Sequence, residues 1–289
     1  MHPHHTPCPM KTFFLSLLTL LGGFLPAQDA NHFTVGTFNI RFNNPADGVN
    51  AWTHRKDLVK GLIRFHHWDL FGVQEALLDQ IQDLEALGEY GRVGSGRDDG
   101  VEAGEFAALF YRKSRWELLD SGTFWLSPTP EIPTMGWDAR CCKRICTWAR
   151  FRDRTIGRQL VVFNAHFDHQ GVTARLESAR LMDQKARELA GDLPVILMGD
   201  FNDIPESPAI EILLKAGYRD SRAHSAQAPY GPEGTFNGFN WEAALDRRID
   251  YIFLGSSLAV EKYGVLSDSY GRRYPSDHLP VQVLLHWKP

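Results

Sequence analysis

The sequence predicts an α/β fold in which short apolar strands alternate with amphipathic helices. Three observations lead there. Apolar runs of strand length, such as "VILM" at 195–198, stand between stretches whose apolar residues recur at helical spacing. Neither a repeat nor a low-complexity linker interrupts the alternation. Several of the runs stop on an acid, an amide or an imidazole, and ligand sites in layered α and β folds gather at strand ends. With 289 residues, 43% of them hydrophobic, the chain is long enough for one large domain or two small ones.

The elements follow in chain order. Phe33 to Ile40 reads as a strand, and "WTHRKDLVKGLIRFH" as a helix with Leu58, Val59, Leu62 and Ile63 at helical spacing. "DLFGVQEA" is a short buried strand that ends at Gln74 and Glu75, and "LLDQIQDLEAL" is again helical. Glu105 to Tyr111, Trp116 to Leu126 and Ile145 to Phe151 read as strands joined by turns. "LVVFNAHFDH" is a strand with a polar end. Thr173 opens a helix that carries Leu176, Ala179, Met182, Ala186 and Leu189 on one side. Pro194 to Gly199 is a strand, Ser207 to Ala216 a helix, and "RIDYIFL" and "PVQVLLHW" the closing strands.

The polar strand ends are Asn39, Glu75, the alternation Asn164/His166/Asp168, the pair Asp200/Asn202, Asp250, and Asp277 with His278. In "VILMGDFNDIPES" the two-residue repeat of a strand points Asp200 and Asn202 the same way and Phe201 into the core. The same residues also suit an ordinary turn. If the ends converge, carboxylates, amides and imidazoles surround one point. That donor set suits a hard cation such as Mg²⁺, with Mn²⁺ as a substitute. HExxH, GxSxG and P-loop motifs are absent.

The formal net charge of -4 does not mark a binder of bulk polyanions. Arg41, Arg97, Arg140, Arg144, Arg247 and Arg272 are scattered, and no basic run is interleaved with aromatics. The start of the chain resembles a secretory signal peptide over 1–27: Lys11, an apolar run from Phe13 to Leu25, then Pro26-Ala27-Gln28. Met10 is an alternative start and Ala30 an alternative cut site. The run is too short for a comfortable membrane span, so a secreted or periplasmic location is expected. His2, His4, His5 and Cys8 fall in this leader. Cys141, Cys142 and Cys146 remain; their spacing lacks paired CxxC units, and one disulfide with one thiol left over is open to them.

"TFNIR", "GVQEA", "NAHFDHQG", "MGDFNDIPESP", "RIDYIF" and "SDHLPV" occur in this order. Together they resemble the endonuclease/exonuclease/phosphatase superfamily, over nearly all of the chain from Phe33 onward. The segments around "GRDDG" and "GWDARCCKRICTWARF" resemble a secreted bacterial subgroup nearest its deadenylase-like branch. The resemblance implies one domain over 31–289: a four-layer αββα sandwich of two packed sheets flanked by helices, with the site at one rim. It implies Glu75, Asn39 and Asp277 as the Mg²⁺ site. Asp200 would orient or deprotonate the attacking water, and Asn202 would fix that water or the phosphate. His278 would bear charge on a phosphate oxygen, Asp250 would fix its tautomer, and His166 would bind phosphate. Asn39, Arg41, Asn164, Asp168, Arg97 and Arg144 are the expected substrate contacts. Asp168 and His169 equally suit a turn, and surface ion pairs equally explain Arg97, Asp98, Glu105, Trp137 and Arg144. Arg41 stands where apurinic endonucleases carry an acid, which removes a ligand for a second cation.

The expected activity is metal-dependent hydrolysis of a small or terminal phosphoester, either a small molecule or a nucleic-acid end, by in-line water attack. Endonuclease or 3′–5′ exonuclease action on DNA or RNA is the alternative. A glycosidase uses paired carboxylates but needs neither the amides nor the histidines. A non-catalytic binding module on the same fold would not need reactive residue types at every motif position. No protein partner is evident.

Overall fold

A computed structural model describes residues 1–4 and 30–288. The leader's apolar run, Phe13 to Leu25, and the cleavage site after Ala27 lie outside the described residues. Among those described, no helix is long and apolar enough to cross a membrane.

Among the described residues, twelve strands form two mixed sheets of six. The first contains β1 (His32–Asn39), β2 (Leu70–Ala76), β3 (Tyr90–Val93), β4 (Phe106–Arg112), β11 (Leu258–Val265) and β12 (Val281–Trp287). Their order is β11-β12-β1-β2-β4-β3. The second contains β5 (Trp116–Trp125), β6 (Ile145–Asp153), β7 (Gln159–His166), β8 (Val195–Asp200), β9 (Arg219–Asp220) and β10 (Asp250–Leu254). Their order is β5-β6-β7-β8-β10-β9. Among these strands, only β1–β2 and β7–β8 pair in parallel. Helices α1 (Trp52–Phe65) and α2 (Leu78–Glu85) share an apolar cluster with the first sheet. Helices α3 (Val172–Ala190) and α4 (Pro208–Lys215) do the same with the second. A third cluster lies between the sheets, so the domain is the four-layer α/β sandwich.

Strand alternation explains where the polar ends go. On β1, Phe33 and Val35 belong to the cluster between the sheets, while Phe38 belongs to the cluster under α1. The inward row is therefore Phe33, Val35, Thr37, Asn39. On β8 the inward row is Ile196, Met198, Asp200, and on β7 it is Leu160, Val162, Asn164, His166. On β10 it starts at Asp250 and continues with Ile252 and Leu254. Each row is apolar in the middle of the sandwich and polar toward one rim.

Strands β3, β9 and β11 carry no clear signal in the sequence. β3 and β9 are very short, and a bulge between Val260 and Lys262 breaks the alternation of β11. Cys141 pairs with its neighbour Cys142, and Cys146 is a buried free thiol.

Asn164 corrects one expectation. It is fully buried and bridges the sheets instead of meeting a substrate. Its Nδ2 donates to Val73 O at 3.0 Å and Ala108 O at 2.9 Å, and its Oδ1 accepts from Gln74 Nε2 at 2.6 Å. Gly72 makes room for it, because a Cβ there would sit 2.5 Å from the Asn164 amide. Gly72→Ala should therefore expel the amide and strand its partners, at a cost of about 3 kcal/mol. Urea unfolding measures this; a loss below roughly 0.5 kcal/mol, the range of neutral substitutions, would show that the bridge matters little.

Candidate active site

The rim ends of both sheets open into one cleft of about 510 Å³. Glu75, Asp277 and Arg41 line it from the first sheet and its loops, and His166, Asp200, Asn202 and His278 face them. Arg97, Arg144 and Arg247 also reach it.

The site begins with the His278 imidazole. Its Nδ1 lies 2.9 Å from Asp250 Oδ2, and its Nε2 lies 3.8 Å from Asp200 Oδ2. Thr235 Oγ1 accepts from the Asp250 and Ile249 backbone N–H groups, which holds the start of β10 in place. Phe236 packs edge-on against the imidazole at 5.1 Å. Burial opposes a charge on His278, but Asp250 and then Asp200 outweigh it and lift its pKa to about 10. The ring is an imidazolium at neutral pH.

Asp200 is enclosed as well. Its Oδ2 accepts from Asn39 Nδ2 at 2.9 Å, and its Oδ1 accepts from the Asn202 N–H at 2.9 Å. Burial, followed by the charge on Asp250, raises its pKa to about 7 despite His278. Asn202 donates its own side-chain N–H to Phe167 O at 3.1 Å. Phe201 is fully buried between Phe167, Tyr251 and Phe253, as the alternation requires.

Asn39 links the two acid clusters. The same Nδ2 that meets Asp200 donates to Glu75 Oε1 at 3.0 Å, while its Oδ1 accepts from the Arg41 N–H. Its nitrogen, not its oxygen, faces the carboxylates. Asn39 thus ties the two carboxylates together and does not line the cleft, which revises its expected substrate contact. Glu75 reaches the cleft through a bulge in β2, between the register positions Val73 and Ala76, where it takes a φ of 62°. Arg41 and Asn202 share this left-handed conformation, at φ 56° and 50°. Non-glycine residues there carry strain that the surroundings must hold, and such strain clusters at functional sites.

Glu75 Oε2 and Asp277 Oδ2 lie 3.7 and 3.9 Å from the Arg41 guanidinium, so both acids face one cationic position. Burial raises the pKa of Asp277. The two carboxylates fit a hard divalent cation, which takes oxygen ligands and keeps several waters. Asp200, Asp250 and His278 also bring ligand atoms within 4.8 Å of one another. Asp250 holds Nδ1 of His278 at 2.9 Å, an arrangement that also suits proton chemistry. Arg41 is itself tied to Asp47 at 3.1 Å. It stands beside the acids on the wall of the cleft.

On the other wall, Arg144 Nη1 lies 3.0 and 2.9 Å from the two ring nitrogens of His166, and Nη2 lies 2.7 Å from His169 Nδ1. An arginine only donates, so both rings accept. Burial first, then Arg144 and Arg97, pushes the pKa of His166 far below its ordinary value, and it is neutral. Asp168 stands behind this wall. Its Oδ1 accepts from the Gln170 and Gly171 N–H groups, and its Oδ2 faces Arg144 Nε at 3.6 Å. It positions Arg144 and does not itself line the cleft. Arg97 pairs with Glu105 at 2.6 Å, and burial raises the Glu105 pKa to about 7 against the pull of Arg97. Asp98 and Trp137 do not line the cleft; Trp137 borders a separate depression. Phe42, Cys142, Phe236 and Ile249 line it without having been expected there, since apolar residues and a disulfide-bonded cysteine carry no chemical signal in a sequence.

Comparison with known proteins agrees with this geometry. The profile of the Endonuclease/Exonuclease/phosphatase family matches residues 36–278. The structure is similar to a mannosyl-6-phosphatase of Bacteroides thetaiotaomicron, with 39% identity and a TM-score of 0.85, over 88% of this chain and 100% of that one. An endonuclease/exonuclease/phosphatase of Bacteroides vulgatus gives 41% identity and a TM-score of 0.85, over 89% and 99% of the two chains. Nocturnin of Drosophila melanogaster is 26% identical over 207 residues, 63% of this chain and 29% of that protein. The chain spans between 29% and 63% of the lengths of three curated relatives that it matches. By profile, identity and fold, the chain belongs to the endonuclease/exonuclease/phosphatase family, a family of phosphoester hydrolases.

Proposed function

We propose that the chain is a Mg²⁺-dependent phosphoesterase that hydrolyses a small or terminal phosphoester by in-line attack of water. One observation carries the reading: the chain Asp250–His278···Asp200–Asn39–Glu75 runs beneath the cleft from one carboxylate, through the imidazole, to another. Asp200 has the burial and the raised pKa of a base that works near neutrality, so it would take the proton of the attacking water. His278, charged and fixed by Asp250, would donate from Nε2 to a phosphoryl oxygen as negative charge grows there. His166, neutral and held by Arg144, would offer a second polar contact to the phosphate. Glu75 and Asp277 would hold the cation, which when bound supplies a fixed positive charge for the phosphoryl oxygens.

The cleft volume favours a small substrate. About 510 Å³ falls inside the roughly 300–1,000 Å³ typical of small-molecule sites. The likeness to a mannosyl-6-phosphatase along its full length supports a phosphorylated sugar. The second reading, a nuclease acting on nucleic-acid ends, is favoured by the arginines gathered at the cleft, which clusters side chains that are scattered in the sequence. A panel separates the two: a hexose phosphate, an aryl phosphate, oligoadenylate and supercoiled plasmid, each with Mg²⁺. The small esters should turn over and the plasmid should stay intact. Rapid nicking with a salt slope implying about six phosphate contacts would reverse the order of the two readings.

A further inference from the structure

Beyond their electrostatic influence on His166, Arg97 and Glu105 take no part in the chemistry above, yet both side chains line the cleft. Their side chains are only 12% and 15% exposed, and they meet at 2.6 Å. A carboxylate beside an incoming phosphate would repel it, and Glu105 cancels the attraction of Arg97. The pair is therefore badly suited to phosphate. It is well suited to hydroxyl groups, each of which both donates and accepts. Glu105 offers one acceptor oxygen to Arg97 and leaves Oε1 uncommitted, and Arg97 Nε is buried without a partner. Behind the pair lies a void of about 10 Å³, bordered also by Lys143, Arg144 and His166, with room for about one water-sized group. The pair is preset as well. Trp125 Nε1 donates to Arg97 O at 2.8 Å, and the Arg97 N–H donates to Glu105 O at 3.0 Å. A nucleobase would seek an aromatic face, but the two phenylalanines of the cleft are engaged: Phe42 under Arg41 and Phe236 against His278.

We propose that Arg97 and Glu105 form the subsite for the alcohol half of the substrate and read neighbouring hydroxyls of a sugar-like carrier. The assignment rests on the phosphoesterase reading and narrows its substrate to phosphorylated polyols.

The test compares a hexose phosphate, its deoxy analogues lacking one ring hydroxyl, and an aryl phosphate without hydroxyls. Each is assayed on Mg²⁺-loaded wild type and on Glu105→Gln. In wild type, at least one deoxy analogue should lose about tenfold or more in kcat/KM, because a site built for a hydroxyl rejects the analogue that lacks it. In Glu105→Gln that penalty should shrink toward unity, since the two changes remove one shared interaction. The ratio of kcat/KM for hexose phosphate over aryl phosphate should fall by about tenfold, mostly through KM. Equal losses on both esters, or no deoxy penalty in wild type, would overturn the subsite and leave the phosphoesterase standing. Wild type that splits neither ester would overturn both. The deoxy series on wild type needs no variant, so a poorly folded Glu105→Gln would not rescue the proposal.

Discussion

Asp250→Asn is expected to cut kcat/KM by about 10² or more while the protein stays folded. The reason is electrostatic. His278 is buried, and burial alone would drive it neutral; Asp250, 2.9 Å from Nδ1, is the first of the groups that keep it charged. An amide has no charge to replace that, and it can turn its NH₂ toward Nδ1, which demands the wrong tautomer. The pH profile checks the cause. Asp200 acts as a base only when deprotonated, so activity should be lost as pH falls below about 7. His278 acts only when protonated, so activity should persist until pH approaches about 10 and then fall. A cation held nearby would shift the acid limb lower. In Asp250→Asn the alkaline limb should move to lower pH. His278→Ala should lose as much as Asp250→Asn, and the double variant little more, because the pair works as a unit. Losses that multiply, or an unmoved alkaline limb, would show that Asp250 does not act through His278.

Chelation should be the other large effect. EDTA-treated protein is expected to lose about 10³ or more in rate, since several kcal/mol of charge stabilisation amounts to that many decades at 1.36 kcal/mol each. Mg²⁺ or Mn²⁺ should restore it. Glu75→Ala should raise the metal concentration needed for half activity, or abolish turnover, because Asp277 alone leaves one carboxylate opposite Arg41. Binding can be read without turnover, as a Mg²⁺-dependent rise in Tm that wild type shows and Glu75→Ala loses. Full activity in the chelated enzyme would end the metal reading.

Much of this was legible in the residues. The alternation of each strand is local, and local pattern decides which side chains share a face. Asp200 as the last member of Ile196, Met198, Asp200, and Phe201 as its outward neighbour, follow from "VILMGDF" alone. The same holds for Asn39 on β1 and His166 on β7. Six motifs in order resembled the family, and the resemblance implied the two-sheet architecture; the structure brings Glu75, His166, Asp200, Asp277 and His278 of those motifs to one cleft.

What the chain alone could not say is depth and direction. Asn164 and His166 share one inward row, but Asn164 is one step farther from the rim, and it meets Val73 and Ala108 of the opposite sheet instead of a ligand. Glu75 shows the reverse. Alternation from Phe71 and Val73 would turn it toward α1, and only the bulge, with its left-handed φ, swings it into the cleft. The amide orientation of Asn39 depends on two carboxylates that come from distant strands. The sequence by itself determined the fold class and the polar rows, because periodicity is a property of neighbours in the chain. The tertiary structure decided which polar residues face solvent, acid or arginine, because that depends on packing between sheets that meet far apart in sequence.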